Sequence, residues 1–315
     1  MNEQQSPGWE KEVLEKLVLA SLKEQRAARN WGIFFKFLTF GFLFLILILI
    51  FGAREAGDGE TSSRGPHTAV VELNGVIAAG NDASAERINE GLRAAFKDHN
   101  TKGVILKINS PGGSPVQAGQ INDEIRRLKA QYPKIPLFVA VEDICASGGY
   151  YVAVAADKIF VDKASLVGSI GVLMDGFGFT GVMDKLGVER RLVTAGSNKG
   201  FLDPFSPQNP QQLAYARDML AQIHQQFIKV VKEGRGKRLK DDPELFSGLV
   251  WNGEKSVALG LADGFASTDV IARDMIHAEE LVDYTPRPHW AERFAKSIGA
   301  EAGTRLGAAL QVQLK

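Results

Sequence analysis

The 315-residue chain has a single cysteine, Cys145, and no excess of either charge, its 37 lysines and arginines being matched by 37 aspartates and glutamates. One cysteine excludes an intramolecular disulfide and a cysteine-rich metal site. Balanced charge removes the basic excess that marks a nucleic-acid-binding chain. Histidine is scarce too: His67, His99, His224, His277 and His289 are the whole supply. None lies beside a strand-end turn suited to a catalytic triad; His99 alone stays open as a base, and the others read as ordinary side chains. There is no internal repeat, and no cofactor is implied. With 45% apolar and 23% charged residues, the composition is that of a globular domain.

What is present first is a long apolar run. No residue from Phe37 to Ala53 is charged, and the stretch F-L-T-F-G-F-L-F-L-I-L-I-L-I-F-G-A is apolar almost throughout. Extended through Trp31–Phe35, with the Lys36 amine reaching back to the headgroups, it suffices for a hydrocarbon core of about 30 Å. A transmembrane helix is therefore expected over Trp31–Gly52, tying the chain to membrane lipid. Lys11, Lys16, Lys23, Arg26, Arg29 and Lys36 come before it, and only Arg54 and Arg64 follow closely. That asymmetry puts the N-terminus in the cytoplasm and the bulk of the chain outside. A cleaved signal peptide fits less well, because thirty residues precede Trp31 and Phe51 fills the outer position of the small-residue site ending at Ala53. A buried core helix is the remaining alternative.

The expected organisation is a cytosolic segment over 1–30, the membrane helix over 31–52, a polar glycine-rich linker over 53–66, one catalytic domain over 67–285 and a tail over 286–315. Within the first segment Trp9, Val13, Leu17 and Ala20 suggest a short amphipathic helix over 8–30. In the tail Trp290, Phe294, Ile298, Ala302, Leu306 and Leu310 recur at about every fourth position. The apolar runs A-V-V-E-L-N-G-V-I, G-V-I-L-K-I-N, I-P-L-F-V-A-V and K-I-F-V-D read as strands. They alternate with helical stretches at Ser84–Lys97, Val116–Gln131 and Tyr150–Ala155. Such βαβ spacing predicts an α/β domain whose sheet is covered on both faces. A long helix is expected over Pro207–Arg235.

Two glycine-rich turns follow strands, where open α/β sheets bind ligands. In I-N-S-P-G-G-S, Ile108–Ser114, paired glycines can aim backbone N–H groups at a substrate oxygen, although a plain turn is the simpler use. In D-I-C-A-S-G-G-Y-Y, Ser147 stands at a strand–helix junction between small neighbours, Ala146, Gly148 and Gly149. It is either an accessible nucleophile or an N-cap. The G-x-S-x-G elbow is missing, which weakens an α/β-hydrolase assignment. A serine nucleophile needs a base, and a lysine amine can serve if its surroundings keep it neutral; unperturbed, about one in 2,500 is neutral at pH 7. Lys199, in T-A-G-S-N-K-G after the expected strand R-R-L-V-T, and Lys107, beside the first turn, both compete for that role. Ser169, in L-V-G-S-I-G-V, could orient an amine. Cys145 is most simply a small buried hydrophobe.

The stretch A-S-G-G-Y-Y-V-A-V-A-A-D-K-I-F-V-D-K-A-S-L-V-G-S-I-G-V, taken with I-N-S-P-G-G, T-A-G-S-N-K and V-W-N-G-E-K-S-V-A-L-G-L-A-D-G, resembles the signal peptide peptidase A family of bacterial serine peptidases. The likeness covers about residues 68–275. It implies the Clp protease/crotonase-like fold, with Ser147 as nucleophile, Lys199 as general base and Ser169 positioning the lysine amine. The N–H groups of Gly113 and Gly148 would form the oxyanion hole. One copy of the fold implies a homo-oligomeric ring, an octamer, in which Lys199 of one protomer approaches Ser147 of another; a complete dyad in each chain is the alternative. The implied function is a membrane-anchored serine endopeptidase on the extracytoplasmic side of the bacterial inner membrane. It would cleave remnant signal peptides or other exposed extended peptides at an apolar pocket, without cofactor or metal. A broader membrane-protein quality-control peptidase, a crotonase-like acyl-CoA enzyme and an inactive scaffold are the rivals. The cytosolic segment and the tail share nothing with the family pattern.

Overall fold

The computed structural model describes residues 8–57 and 65–286, so the expected tail lies outside the described residues but for Pro286. The chain divides into one unit up to Glu60 and a second from Thr61 onward. The first is a single helix, α1 (Trp9–Gly57), of 49 residues. The expected short helix over 8–30 and membrane helix over 31–52 are thus one element, which also runs into the expected linker. No proline interrupts the chain between Pro7 and Pro66, and Lys23–Ala28 are strong helix formers, so nothing breaks the hydrogen-bond ladder. Within α1, Val13–Ile48 is long and apolar enough to cross a membrane.

The second unit is built on β1 (His67–Asn74), α2 (Ala85–Lys97), β2 (Thr101–Ser110), α3 (Pro115–Gln131) and β3 (Leu137–Ala146). There follow α4 (Gly148–Ala153), β4 (Lys158–Val161), β5 (Leu166–Gly168), α5 (Thr180–Leu186), α6 (Pro210–Arg235), β6 (Val250–Asn252), α7 (Gly253–Ala258), β7 (Gly264–Phe265) and β8 (Leu281–Asp283). Along one path the strands run β6-β5-β3-β2-β1-β8, with β4 also pairing β3 and β7 pairing β4. All pairs are parallel except β5 with β6. This is the expected α/β class: each βαβ crossover lays its helix on the sheet, and the strands between are apolar on both faces.

Val71, Leu106, Ile108 and Val139 point into the main core with Ile88 and Leu92 of α2 and Ile121 and Ile125 of α3. Burying each such side chain contributes about 1.5–3 kcal/mol. On the other face Ile105, Phe138 and Phe160 meet a π-helical segment, Ile271–Ile276.

A register break in this sheet creates the site. Val104–Ile108 pair with Leu137–Val141, but Ser110 pairs with Cys145. Glu142, Asp143 and Ile144 therefore lie opposite Asn109 alone, and β3 bends away. Its first half pairs with β4 and its last three residues, Ile144–Ala146, pair with β5. The fork carries Ser147 out at the end of β3. The expected strand at 190–194 is not formed; those residues pair with no strand among the described residues, and Val193 is 93% exposed. They belong to a long excursion between β5 and α6 with few buried residues, so no neighbouring strand is at hand to complete a ladder.

Candidate active site

Ser147 joins β3 to α4 with φ 51° and ψ −121°, a conformation that side chains other than glycine rarely adopt. Its cost of about 1–3 kcal/mol is borne by the bonds on either side. The Ser147 N–H donates to the Gly168 carbonyl at 2.9 Å, and the Ser147 carbonyl accepts from the Tyr151 N–H at 2.9 Å. The hydroxyl is half-buried and makes no hydrogen bond within the described chain. So the residue sits on a strained strand-to-helix elbow, although the G-x-S-x-G pattern usually associated with such an elbow is absent.

Gly112 and Gly113 face this elbow, with φ +99° and +148°. A Cβ on Gly112 would stand 2.6 Å from the Gly148 nitrogen and 2.7 Å from the Ser147 Cβ, and one on Gly113 would collide with the Ile77 carbonyl. Only glycine fits at either position. The turn is fastened to the segment after β1: the Gly112 carbonyl accepts from Ile77 N–H at 2.9 Å, and Ser114 N–H donates to the Ile77 carbonyl at 2.8 Å. The N–H groups of Gly113 and Gly148 have no acceptor in the described chain. They are close neighbours, since a Cβ on Gly148 would lie 3.2 Å from the Gly113 nitrogen. Two unspent donors side by side, next to an unbonded hydroxyl, can receive the oxygen of a polarised carbonyl.

Ser169 follows Gly168 directly, so it is one peptide from the carbonyl that holds Ser147. It too has positive φ, 51°, fixed by its N–H donating to the Leu249 carbonyl at 2.7 Å. The chain therefore brings Ser147, Ser169, Gly113 and Gly148 to one place. Lys199 is not joined to them: it is exposed in a turn, and no hydrogen bond or ion pair links its amine to Ser147 or Ser169 within the chain. The segment carrying it shows much apolar surface, with Leu173, Phe177 and Val193 at least 79% exposed and no buried residue in α5. Beside it a cavity of about 590 Å³ is lined by Met174, Phe177, Leu202, Pro204, Leu213 and Leu220 among others.

The competing bases are otherwise engaged. The Lys107 amine is held between Glu142 at 2.8 Å and Glu72 at 3.1 Å. Its hydrogen bond to Glu142 leads in raising its pKa, the wrong direction for a base. Buried His67 makes polar contacts to the Tyr284 hydroxyl at 3.0 Å and the Gly65 carbonyl at 3.1 Å. His224 contacts the Ile170 carbonyl, His277 the Arg273 carbonyl, and exposed His99 lies 3.8 Å from Asp98; His289 lies outside the described residues. Burial pushes the Cys145 thiol up, as suits an inert core residue.

Residues 129–281, which include Ser147, Ser169 and Lys199, match the family model described as Peptidase family S49. Over this stretch, a little under half of the chain, the sequence is similar to peptidase family S49. Its relatives in that comparison include the protease 4 of Haemophilus influenzae, 32% identical over 222 residues that make up 68% of this chain and 35% of that protein. The chloroplastic serine protease SPPA of Arabidopsis thaliana is 28% identical over 221 residues, 67% of this chain and 32% of that protein. A Brucella melitensis protein named Na(+)/H(+) antiporter NhaA is 46% identical over 200 residues, 62% of this chain. This chain covers 27% of the length of that protein. The S49 assignment agrees with the α/β sheet described above, which is of the Clp protease/crotonase-like kind. Gly113 lies before the matched residues, and its place in the site comes from the β2–α3 turn alone.

Proposed function

We propose that this S49 chain is a membrane-anchored serine endopeptidase that hydrolyses exposed extended peptides, remnant signal peptides among them, through Ser147 and Lys199. The observation that carries the proposal is the strained Ser147 elbow facing the unspent N–H groups of Gly113 and Gly148. In this mechanism the Lys199 amine takes the proton as the Ser147 Oγ adds to the scissile carbonyl. The oxygen that becomes negative is received by Gly113 and Gly148. Collapse expels the peptide amine, which takes the proton from lysine, and leaves an acyl-enzyme; a water molecule, activated by the same amine, releases the acid. Each oxyanion donor contributes roughly 3–4 kcal/mol in such a transition state. Ser169 positions the amine.

The base comes from a neighbouring protomer. Support for this is the exposure of Lys199, the lack of a partner for its amine among the described residues, and the apolar surface of the segment that carries it, which a second copy in a homo-oligomeric ring would cover. Such cover also takes the amine out of water. The apolar run of α1 is the anchor, and the lysines and arginines gathered on its N-terminal side orient it with the domain on the extracytoplasmic face. Labelling the membrane fraction with a fluorophosphonate and sequencing the modified peptide tests the proposal: the adduct belongs on Ser147, and an adduct elsewhere, or none, rejects it.

A further inference from the structure

We propose that Ser110 is a positioning residue for the oxyanion donors: its buried hydroxyl fixes the Gly112–Gly113 turn so that the Gly113 N–H stays aimed at the reacting carbonyl. The proposal rests on the serine peptidase function above and adds a residue to it. Ser110 is fully buried. Its hydroxyl donates to the Gly75 carbonyl at 2.6 Å and accepts from the Gly112 N–H at 3.1 Å. The N–H of the same Gly75 donates to the Asn109 carbonyl at 2.9 Å, so the peptides on both sides of Gly75 are tied to the end of β2.

The consequence for the turn is a matter of accounting for donors. Gly112 spends its N–H on Ser110 and its carbonyl on Ile77, and Ser114 spends its N–H on Ile77. Gly113 alone keeps a donor for a ligand. Two successive glycines have little conformational preference of their own, so the direction of that donor depends on the bonds around it. Ser110 also touches the second turn, since a Cβ on Gly149 would meet the Ser110 carbonyl at 3.1 Å and its Cβ at 3.4 Å. One residue thus sets the spacing between the Gly113 and Gly148 donors. Without the hydroxyl, the Gly75 carbonyl and the Gly112 N–H lose their shared partner, the Pro111–Gly112 peptide loses the bond that fixes it, and the Gly112–Gly113 peptide is held by its bond to Ile77 alone.

The test uses the full-length protein in membranes or detergent and compares wild type, Ser110→Ala and Ser110→Thr. Readouts are kcat and KM on a fluorogenic peptide, the affinity of a peptide aldehyde of matching sequence, and Tm. The expected result for Ser110→Ala is a kcat lower by about 10- to 100-fold with KM within about twofold, and aldehyde affinity weakened by a similar factor, because only the tetrahedral adduct uses the hole. Ser110→Thr, which restores the hydroxyl, recovers most of kcat. A Ser110→Ala variant with wild-type kcat, or one whose Tm falls while aldehyde affinity holds, overturns the positioning role. Should Ser110→Ala fail to fold, Ser110→Cys decides: its thiol is a weaker donor, so a selective loss of kcat sustains the proposal and an unchanged kcat overturns it. Wild-type protein that neither cleaves the peptide nor takes a fluorophosphonate on Ser147 overturns the peptidase function, and this proposal with it.

Discussion

The main-chain N–H of Ser147 donates to the carbonyl of Gly168 at 2.9 Å, which ties the end of β3 to the end of β5. Because Ser169 is the next residue, this sheet contact also joins the two serines with positive φ, the second of which is held in turn by the Leu249 carbonyl. Any change that opens the β3–β5 rung moves both together.

Ser147→Ala is expected to lower peptide hydrolysis by on the order of 10⁴-fold or more and to abolish fluorophosphonate labelling, with assembly retained. Ser147→Gly should be equally inactive yet more stable than the alanine variant by about 1 kcal/mol, since glycine accepts φ 51° without strain. Thermal melts of the two variants check this; an alanine variant as stable as the glycine one argues against strain at the elbow.

Lys199→Ala should be nearly as inactive as Ser147→Ala, and the double variant should lose little more, because the two groups act as a unit. Lys199→Arg gives no recovery, a guanidinium being unable to give up its proton in the working range. Mixing inactive Ser147→Ala and Lys199→Ala subunits should restore part of the activity if the base crosses between protomers. No recovery, with subunit exchange independently demonstrated, would assign each protomer its own dyad.

Gly112→Ala puts a methyl group 2.6 Å from the Gly148 nitrogen at φ +99°. Activity should fall by more than about 100-fold and stability by roughly 1–3 kcal/mol. Gly119→Ala, on α3 with nothing near its Cβ, should be active and slightly more stable, by about 0.5–1 kcal/mol. Chemical denaturation of the paired variants separates the crowded glycine from the free one.

Glu124, on α3 and paired with Arg93 of α2, supplies a pH-dependent stability. Hydrogen bonds from Arg127 first and Arg93 next outweigh its partial burial and lower its carboxyl from 4.5 to about 2. A depressed carboxyl stabilises above its unfolded pKa, so the contribution is complete above pH 4.5 and fades as pH falls toward 2. Glu124→Gln should therefore cost roughly 1–2 kcal/mol at pH 7, allowing for the half-exposed arginines, and almost nothing near pH 2. Equal destabilisation at both pH values would exclude the ionised carboxylate as its source.

For the membrane arrangement, protease added to spheroplasts should reach the domain beyond residue 67, and a reporter fused after residue 60 should be active outside the cytoplasm only. Cytoplasmic activity of that reporter reverses the orientation.

Much of this was legible from the residues. The apolar runs point to the α/β class, and Ser147 with its small neighbours is readable as a strand–helix junction, though not as an elbow with positive φ. Other features depend on contacts distant in sequence. That Lys107 is held between Glu72 and Glu142 depends on three strands lying side by side in register, which spacing along the chain cannot reveal. The positive φ of Ser169 comes from a bond to Leu249, 80 residues further on. Ser110 stood out in no way within I-N-S-P-G-G-S because its partner Gly75 reaches it only once β1 and β2 have paired. The R-R-L-V-T strand fails for the opposite reason: local β-propensity is present, but no strand among the described residues pairs with it.

The pairing of β1 with β8 sets a timetable for biosynthesis. Thr68, Ala69 and Val70 find their outer partners only at Leu281, Val282 and Asp283, and the His67–Tyr284 contact follows one residue later. At about 5–20 residues per second, the ~200 residues between them take roughly 10–40 s to make. For that interval the outer edge of β1 is an open row of donors and acceptors. A ribosome stalled, or a chain cut, before Leu281 would leave that edge open for good, and its product should aggregate instead of folding.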